Sequence, residues 1–150
     1  MTRPLGGQQV ALRIEGALPG AVKGHGANEV LVTKERVLDA ARFLFSDGDL
    51  ALNYLAALTS VDYIDYFEVV YRLVSMRHNH SIVMKARAFE REDPVVPSVV
   101  SVLRGADFQE REVYDLMGVR FPGHPDLKRI LLWDVFEGHP LRKDFILNRP

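Results

Sequence analysis

The sequence contains no cysteine, no apolar run long enough to cross a bilayer and almost no net charge. Without cysteine, disulfides, cysteine-ligated zinc, iron–sulfur ligation by this chain and thiol catalysis are all excluded. The longest mostly apolar stretch without a charge, residues 50–61, contains Asn53 and falls short of the about 20 residues that a membrane-spanning helix needs. With 19 basic and 20 acidic residues, we expect no nucleic-acid partner and no attraction to an anionic membrane.

The remaining composition is that of an ordinary folded domain. Apolar residues make up 47% and charged residues 26% of the 150 positions, which suits one domain with a sizeable core. The first residues have no apolar core behind the positive charge of Arg3, so we expect no signal peptide and an intracellular chain.

The pattern divides the chain into three regions, at 1–29, 30–121 and 122–150. Residues 1–29 are rich in glycine and are interpreted as a poorly patterned lead-in, with residues 9–15 as a possible strand. Residues 30–121 predict an α+β domain, a small mixed or antiparallel sheet with helices packed on it. Residues 122–150 predict a long extended tail that docks on a partner.

Within the middle region, the element types follow from hydrophobic periodicity. A short strand at 30–32 precedes a helix at 34–46, for which Thr33 is the expected N-cap. Alternating apolar and charged residues predict strands at 67–76 and 82–89, joined by a polar hairpin connection. Residues 98–103 remain ambiguous, because valines favour a strand while Pro97 favours the first turn of a helix.

A short helix over residues 107–117 carries the acids that first suggest an active site. Asp107 and Glu110 have the spacing of a capping box, and Gly118 stands where a left-handed residue would end the helix. Glu110 and Glu112 point apart on a helix, and Arg111 with Asp115 would form only a weak surface pair. We interpret these acids as caps and interface groups and predict no catalytic residue.

The tripeptide at 78–80 offers a rival interpretation. His78 and His80 could share a metal ion, with Glu90 or Glu92, in a small metal-dependent hydrolase or nuclease. No nearby acid completes a ligand set at a typical spacing, and the helix of the nuclease motif does not follow. A solvated histidine pair in a turn is the favoured interpretation, and no metal ligand is predicted.

The tail repeats one motif, Gly-His-Pro, at residues 123–125 and 138–140, each time followed by a basic pair. Proline forces the residue before it out of the α region, so both histidines are expected on extended chain. Apolar residues are too frequent here for simple disorder. We therefore predict that the tail lies on another protein, with tryptophan and arginine as anchors.

Two blocks of the sequence resemble a known family. They are Glu110-Arg111-Glu112-x-x-Asp115-Leu116-Met117 with His124 and Lys128-x-Ile130-Leu131, and the segment Gly138-His139-Pro140-Leu141-Arg142-Lys143-Asp144-Phe145. Both are similar to the C-subunit of the proton-translocating NADH–quinone oxidoreductase, respiratory complex I. Upstream segments at 62–63, 67–75 and 93–99 look similar too, so the resemblance covers about residues 30–145. Met117 stands where the family often has phenylalanine.

The resemblance implies a non-catalytic structural subunit of the peripheral arm, on the cytoplasmic side of the cell membrane, that binds no cofactor itself. FMN, iron–sulfur clusters and quinone would belong to the parent complex. The implied partners are other peripheral-arm subunits, chiefly the large quinone-site subunit and iron–sulfur subunits. An equivalent subunit of a membrane-bound hydrogenase-type complex is the alternative. The residues expected at the partner interface are Glu110, Arg111, Glu112, Tyr114, Asp115, Gly123, His124, Pro125, Lys128, Arg129, Gly138, His139, Pro140, Arg142, Lys143 and Asp144.

Overall fold

A computed structural model of the chain describes residues 1–147. The six strands in that range are β1 (Arg3–Pro4), β2 (Val22–His25), β3 (Glu29–Val32), β4 (Tyr54–Asp62), β5 (Phe67–Ser75) and β6 (His80–Ala88). The three α-helices are α1 (Gly7–Ala17), α2 (Val37–Ser46) and α3 (Ala106–Met117), and a 3-10 turn (Lys34–Arg36) leads into α2.

The strands form one mixed sheet in the order β2-β3-β6-β5-β4, with β1 also paired to β6. The β5–β6 hairpin is antiparallel and sets Tyr71 opposite Met84, whereas β3 runs parallel to β6 with Val30 opposite Met84. An α+β fold with a mixed sheet is thus confirmed, and the predicted strands at 30–32, 67–76 and 82–89 correspond to β3, β5 and β6.

The core lies on one face of the sheet, beneath the helices. Tyr71 and Met84 are fully buried there, together with Ile14 of α1 and Leu44 of α2. The opposite face mixes charged residues with valines, and Glu68 forms an ion pair with Arg87 there at 2.9 Å. This alternation is what the period-two pattern of the two strands predicts.

Residues 1–29 differ from the prediction of a poorly patterned lead-in, because they form β1, α1 and β2. The strand predicted at 9–15 is wrong, since these residues belong to α1. Val10, Ala11 and Ile14 lie on the buried face of that helix. Gly7 lets the helix start approach the β2–β3 hairpin, because a Cβ there would stand 2.1 Å from the carbonyl oxygen of Gly26.

Several local predictions are also corrected. Thr33 makes no side-chain capping bond and precedes the 3-10 turn, not the α-helix itself. Residues 98–103 form turns, neither strand nor helix. Within residues 1–147, no helix is long and apolar enough to span a bilayer.

Residues 122–147, called the tail below, contain turns but no helix or strand. The tail is therefore not simply extended in this range, and its predicted docking on a partner stays a prediction. Hydrogen bonds run from the tail to α3, to β4 and to Arg91. Residues 148–150 of the predicted tail lie outside the described residues.

Candidate partner interface

Asp115 on α3 anchors the first half of the tail. One carboxylate oxygen accepts backbone N–H bonds from Ile130, Leu131 and Leu132, at 3.1, 2.7 and 2.9 Å. The other accepts from the Arg129 guanidinium at 2.8 Å. Burial raises the pKa of the Asp115 carboxyl, but these donors outweigh it and hold that pKa below its usual value. The predicted Arg111–Asp115 ion pair does not form, because Asp115 pairs with Arg129 instead.

The Arg129 guanidinium joins two parts of the tail. Besides Asp115, it donates to the carbonyl oxygens of Phe136 and Gly138, at 3.0 and 2.9 Å. Arg111 supports it from α3 by donating to the carbonyl oxygens of Lys128 and Arg129, at 3.2 and 3.1 Å. Residues 129–138 thus form a loop whose ends meet at one guanidinium; we call it the Arg129 loop.

A second carboxylate, Asp62 at the end of β4, anchors the other half of the tail. Its carboxylate accepts hydrogen bonds from both terminal nitrogens of Arg91, at 2.6 and 2.7 Å, and from the backbone N–H of Lys143, at 2.9 Å. These donors hold the pKa of Asp62 far below its usual value, with the Arg91 bond as the largest cause. Arg91 also binds Asp144 at 3.1 Å.

Two cations lie near the ring of Phe67 at this second anchor. The guanidinium carbons of Arg91 and Arg142 stand 4.6 and 4.9 Å from the ring centroid. Arg142 also donates a hydrogen bond to the carbonyl oxygen of Arg91. The two arginines thereby hold the second Gly-His-Pro segment against the sheet.

Glu110 does not cap α3, contrary to the predicted capping box. The helix starts after Gly105 without any side-chain cap, and Glu110 is fully buried. Its carboxyl group accepts bonds from the Ser98 hydroxyl at 2.6 Å and from the Val99 backbone N–H at 2.8 Å. Burial raises the pKa of Glu110 to about 7.

The two tail histidines bind to α3. His124 donates from Nε2 to the Asp107 carbonyl oxygen at 3.0 Å, while its Nδ1 accepts the Asp126 N–H at 3.0 Å. The Nδ1 atom of His139 lies 2.9 Å from the carbonyl oxygen of Asp115. Gly118 ends α3 with φ 77°, as predicted, and leaves room for the His139 ring.

The predicted interface residues therefore divide into two groups. Those turned toward the domain hold the tail in place, and they are Glu110, Arg111, Asp115, His124, Arg129, His139 and Arg142. Those that face solvent are Glu112, Gly123, Pro125, Lys128, Gly138, Lys143 and Asp144, with Tyr114 and Pro140 half-buried. Contact of any of them with a partner stays a prediction.

Sequence reasoning missed the two carboxylate anchors as tail contacts. Asp62 stood in a segment similar to the family, but nothing local indicates that it binds residues 91 and 143. The partners of Asp115 lie 14 to 17 positions further on in irregular chain. Neither set of contacts follows the spacing of a helix or a strand, so hydrophobic periodicity does not predict it.

The histidine pair of the rival interpretation contacts the backbone. The Nε2 atoms of His78 and His80 lie 2.9 and 2.6 Å from the carbonyl oxygens of Gly48 and Leu50. Across residues 1–147, no group of three histidine, aspartate or glutamate side chains is arranged to hold a metal ion.

Known proteins are similar to this chain in sequence and in fold. The NADH-quinone oxidoreductase C-subunit of Roseiflexus castenholzii is 44% identical over 146 residues, 93% of this chain and 83% of that protein. Its counterpart of the same name in Azorhizobium caulinodans is 40% identical over 148 residues, 94% of this chain and 69% of that protein. A chain in the structure of the membrane-bound sulfane sulfur reductase, an archaeal respiratory membrane complex, has the same fold. Its TM-score is 0.74 at 24% identity, covering 93% of this chain and 85% of that one. The profile of the respiratory-chain NADH dehydrogenase 30 Kd subunit matches residues 30–150, and the chain belongs to that family.

Proposed function

We propose that this chain is a non-catalytic structural subunit in the peripheral arm of an NADH–quinone oxidoreductase. The observation that carries the proposal is the identity of 40–44% to proteins named as the C-subunit of that enzyme, along most of their length. Electrons would pass from NADH through FMN and iron–sulfur centres to quinone in neighbouring subunits, coupled to proton translocation. This chain would brace those subunits.

The hydrogen bonds and burial of the acidic side chains in this chain support a structural role. Asp115 accepts four hydrogen bonds from the tail, Asp62 accepts bonds from Arg91 and from the Lys143 N–H of the tail, and Glu110 is enclosed in the core. A carboxylate that already accepts several hydrogen bonds has little capacity left to accept a proton from a substrate. Because the chain lacks cysteine, we expect the iron–sulfur centres to be ligated by other chains.

Neighbouring peripheral-arm subunits, chiefly the quinone-site and iron–sulfur subunits, are the proposed partners. The tail offers them a row of exposed apolar side chains, including Leu131, Trp133, Val135 and Leu141. We place the chain at the cytoplasmic side of the membrane, attached through these neighbours, with no nucleic-acid partner.

Co-migration tests the proposal directly. The full-length chain carries an affinity tag in its native cell, membranes are solubilised gently, and complexes are separated on a native gel. We expect the chain in a large complex that contains iron–sulfur subunits and oxidises NADH with a quinone acceptor. Migration of the chain alone would refute the proposal. A complex that takes electrons from hydrogen and not from NADH would favour the hydrogenase-type alternative.

A further inference from the structure

The Arg129 loop is held in one conformation before any partner binds. The Arg129 side chain closes the loop onto the carbonyl oxygens of Phe136 and Gly138. Asp115 fixes the first turn through the N–H groups of residues 130–132. A loop ordered in advance loses little conformational entropy on binding, which is the condition for a tight protein contact.

Large apolar side chains at the tip of this ordered loop face water. Leu131 is 59%, Trp133 64% and Val135 82% exposed. The Trp133 ring meets Phe136 edge to face at 5.2 Å, and Phe136 stacks on Phe145. The aromatic row therefore fixes the direction in which Trp133 points. Exposed tryptophan on ordered backbone is the composition typical of binding hot spots.

The charge at the tip is negative. Asp134 and Glu137 are both exposed, and neither forms an ion pair with any residue in 1–147. The nearest basic side chain of the loop, Arg129, already binds Asp115 and two carbonyl oxygens. A partner that buries this tip must offer positive charge beside an apolar surface, because two unpaired carboxylates are costly to bury.

We propose that the tip of the Arg129 loop inserts into an apolar pocket of a neighbouring subunit, and that lysine or arginine side chains line the rim of that pocket. Trp133 fills the pocket, and Asp134 and Glu137 pair with the rim. The inference rests on the proposed function and names the chemistry of the partner surface. Tryptophan keeps the anchor role predicted from the sequence, whereas Arg129 and Arg142 bind groups of their own chain.

Variants of the tagged full-length chain test the insertion in the native cell. Trp133→Ser removes the apolar anchor, and Asp134→Lys reverses one charge. Leu12→Ser and Glu35→Lys make matched changes at exposed positions on α1 and on the 3-10 turn, away from the tail. The fraction of chain that co-migrates with the complex is measured at about 0.05 M and about 0.5 M salt.

We expect Trp133→Ser to lower that fraction at least tenfold at both salt concentrations, whereas Trp133→Phe retains most of it. Asp134→Lys should lower it at least threefold at low salt, with a smaller loss at high salt because salt screens the rim charges. The two control variants should behave as the wild-type chain. If wild type co-migrates and Trp133→Ser does so equally well, the inference fails while the proposed function stands.

A photo-crosslinker identifies the pocket without relying on loss of binding. Val135 is replaced by p-benzoylphenylalanine, the complex is irradiated, and crosslinked peptides are sequenced. We expect a single neighbouring protein to be captured, through a peptide in which apolar residues flank lysine or arginine. A crosslink only to acidic peptides, or none in a complex that contains the variant, would overturn the inference.

Discussion

Replacing Glu110 by glutamine tests whether the buried carboxyl carries a proton in the folded chain. Burial raises its pKa from 4.5 to about 7, so the folded state retains a proton that the unfolded chain releases. The contribution of Glu110 to the free energy of unfolding is therefore complete below pH 4.5 and is lost as pH rises through about 7. A shift of this size corresponds to about 3–4 kcal/mol, at roughly 1.4 kcal/mol per pKa unit.

Glutamine keeps the hydrogen-bond geometry of the protonated acid. Its oxygen can accept the Val99 N–H, and its amide group can donate to the Ser98 hydroxyl oxygen, in place of the bonds that Glu110 makes. We expect the free energy of unfolding to equal that of wild type within about 1 kcal/mol at pH 5. At pH 8.5 the variant should be about 1–3 kcal/mol more stable, because it never has to bury a charge.

Urea denaturation followed by circular dichroism at several pH values measures the difference. His124, Asp107 and Tyr71 interact electrostatically with Glu110, so the difference reports the charge at position 110 together with its coupling to these groups. Glu112→Gln, an exposed position on the same helix, serves as the control and should show no such trend. Parallel stability curves for wild type and Glu110→Gln across this range would refute the reasoning.

The other predictions concern the tail and its contact with α3. Asp115→Ala removes the acceptor of three N–H groups and of Arg129, so we expect trypsin to cleave after Arg129 at least tenfold faster in native buffer, while Asp65→Ala leaves the rate unchanged. An unchanged rate in Asp115→Ala would show that other contacts hold the loop. Gly118→Ala places a Cβ 2.6 Å from the His139 ring at φ 77°, and should lower the free energy of unfolding in thermal denaturation by about 1–3 kcal/mol. Gly16→Ala, in α1 with open space around it, should raise stability by about 0.5–1 kcal/mol, and equal effects at the two glycines would contradict this assignment.

The elements that the sequence predicts correctly are those whose signal is local. Strands β5 and β6 alternate apolar and charged residues, and Gly118 is the residue that a left-handed helix end requires. Helix α1 escaped prediction because Val10, Leu12 and Ile14 alternate in the sequence as the apolar residues of a strand do. The helical spacing of its buried residues 7, 10, 11 and 14 begins at a glycine, and Leu12 is exposed.

Long-range contacts decide the remaining positions. Glu110 has the spacing of a capping box, yet Ser98 and Val99 from the preceding turns take its carboxyl group into the core. The basic residues of the tail suggested a surface for a partner, and Arg129 and Arg142 instead bind groups of their own chain. Such pairings depend on how irregular segments fold over the sheet, and no periodic pattern encodes that path.

The pairing of β1 with β6 bears on the order in which the chain folds during synthesis. Arg3 and Pro4 lie beside His80 and Ser81, so β1 leaves the ribosome before β6 and cannot make this pairing until β6 has been made. The β5–β6 hairpin needs only neighbouring residues, and it can form as soon as both strands have emerged. The nascent β1 segment therefore stays unpaired while β2 to β5 are synthesised. Chaperones can bind it during that interval.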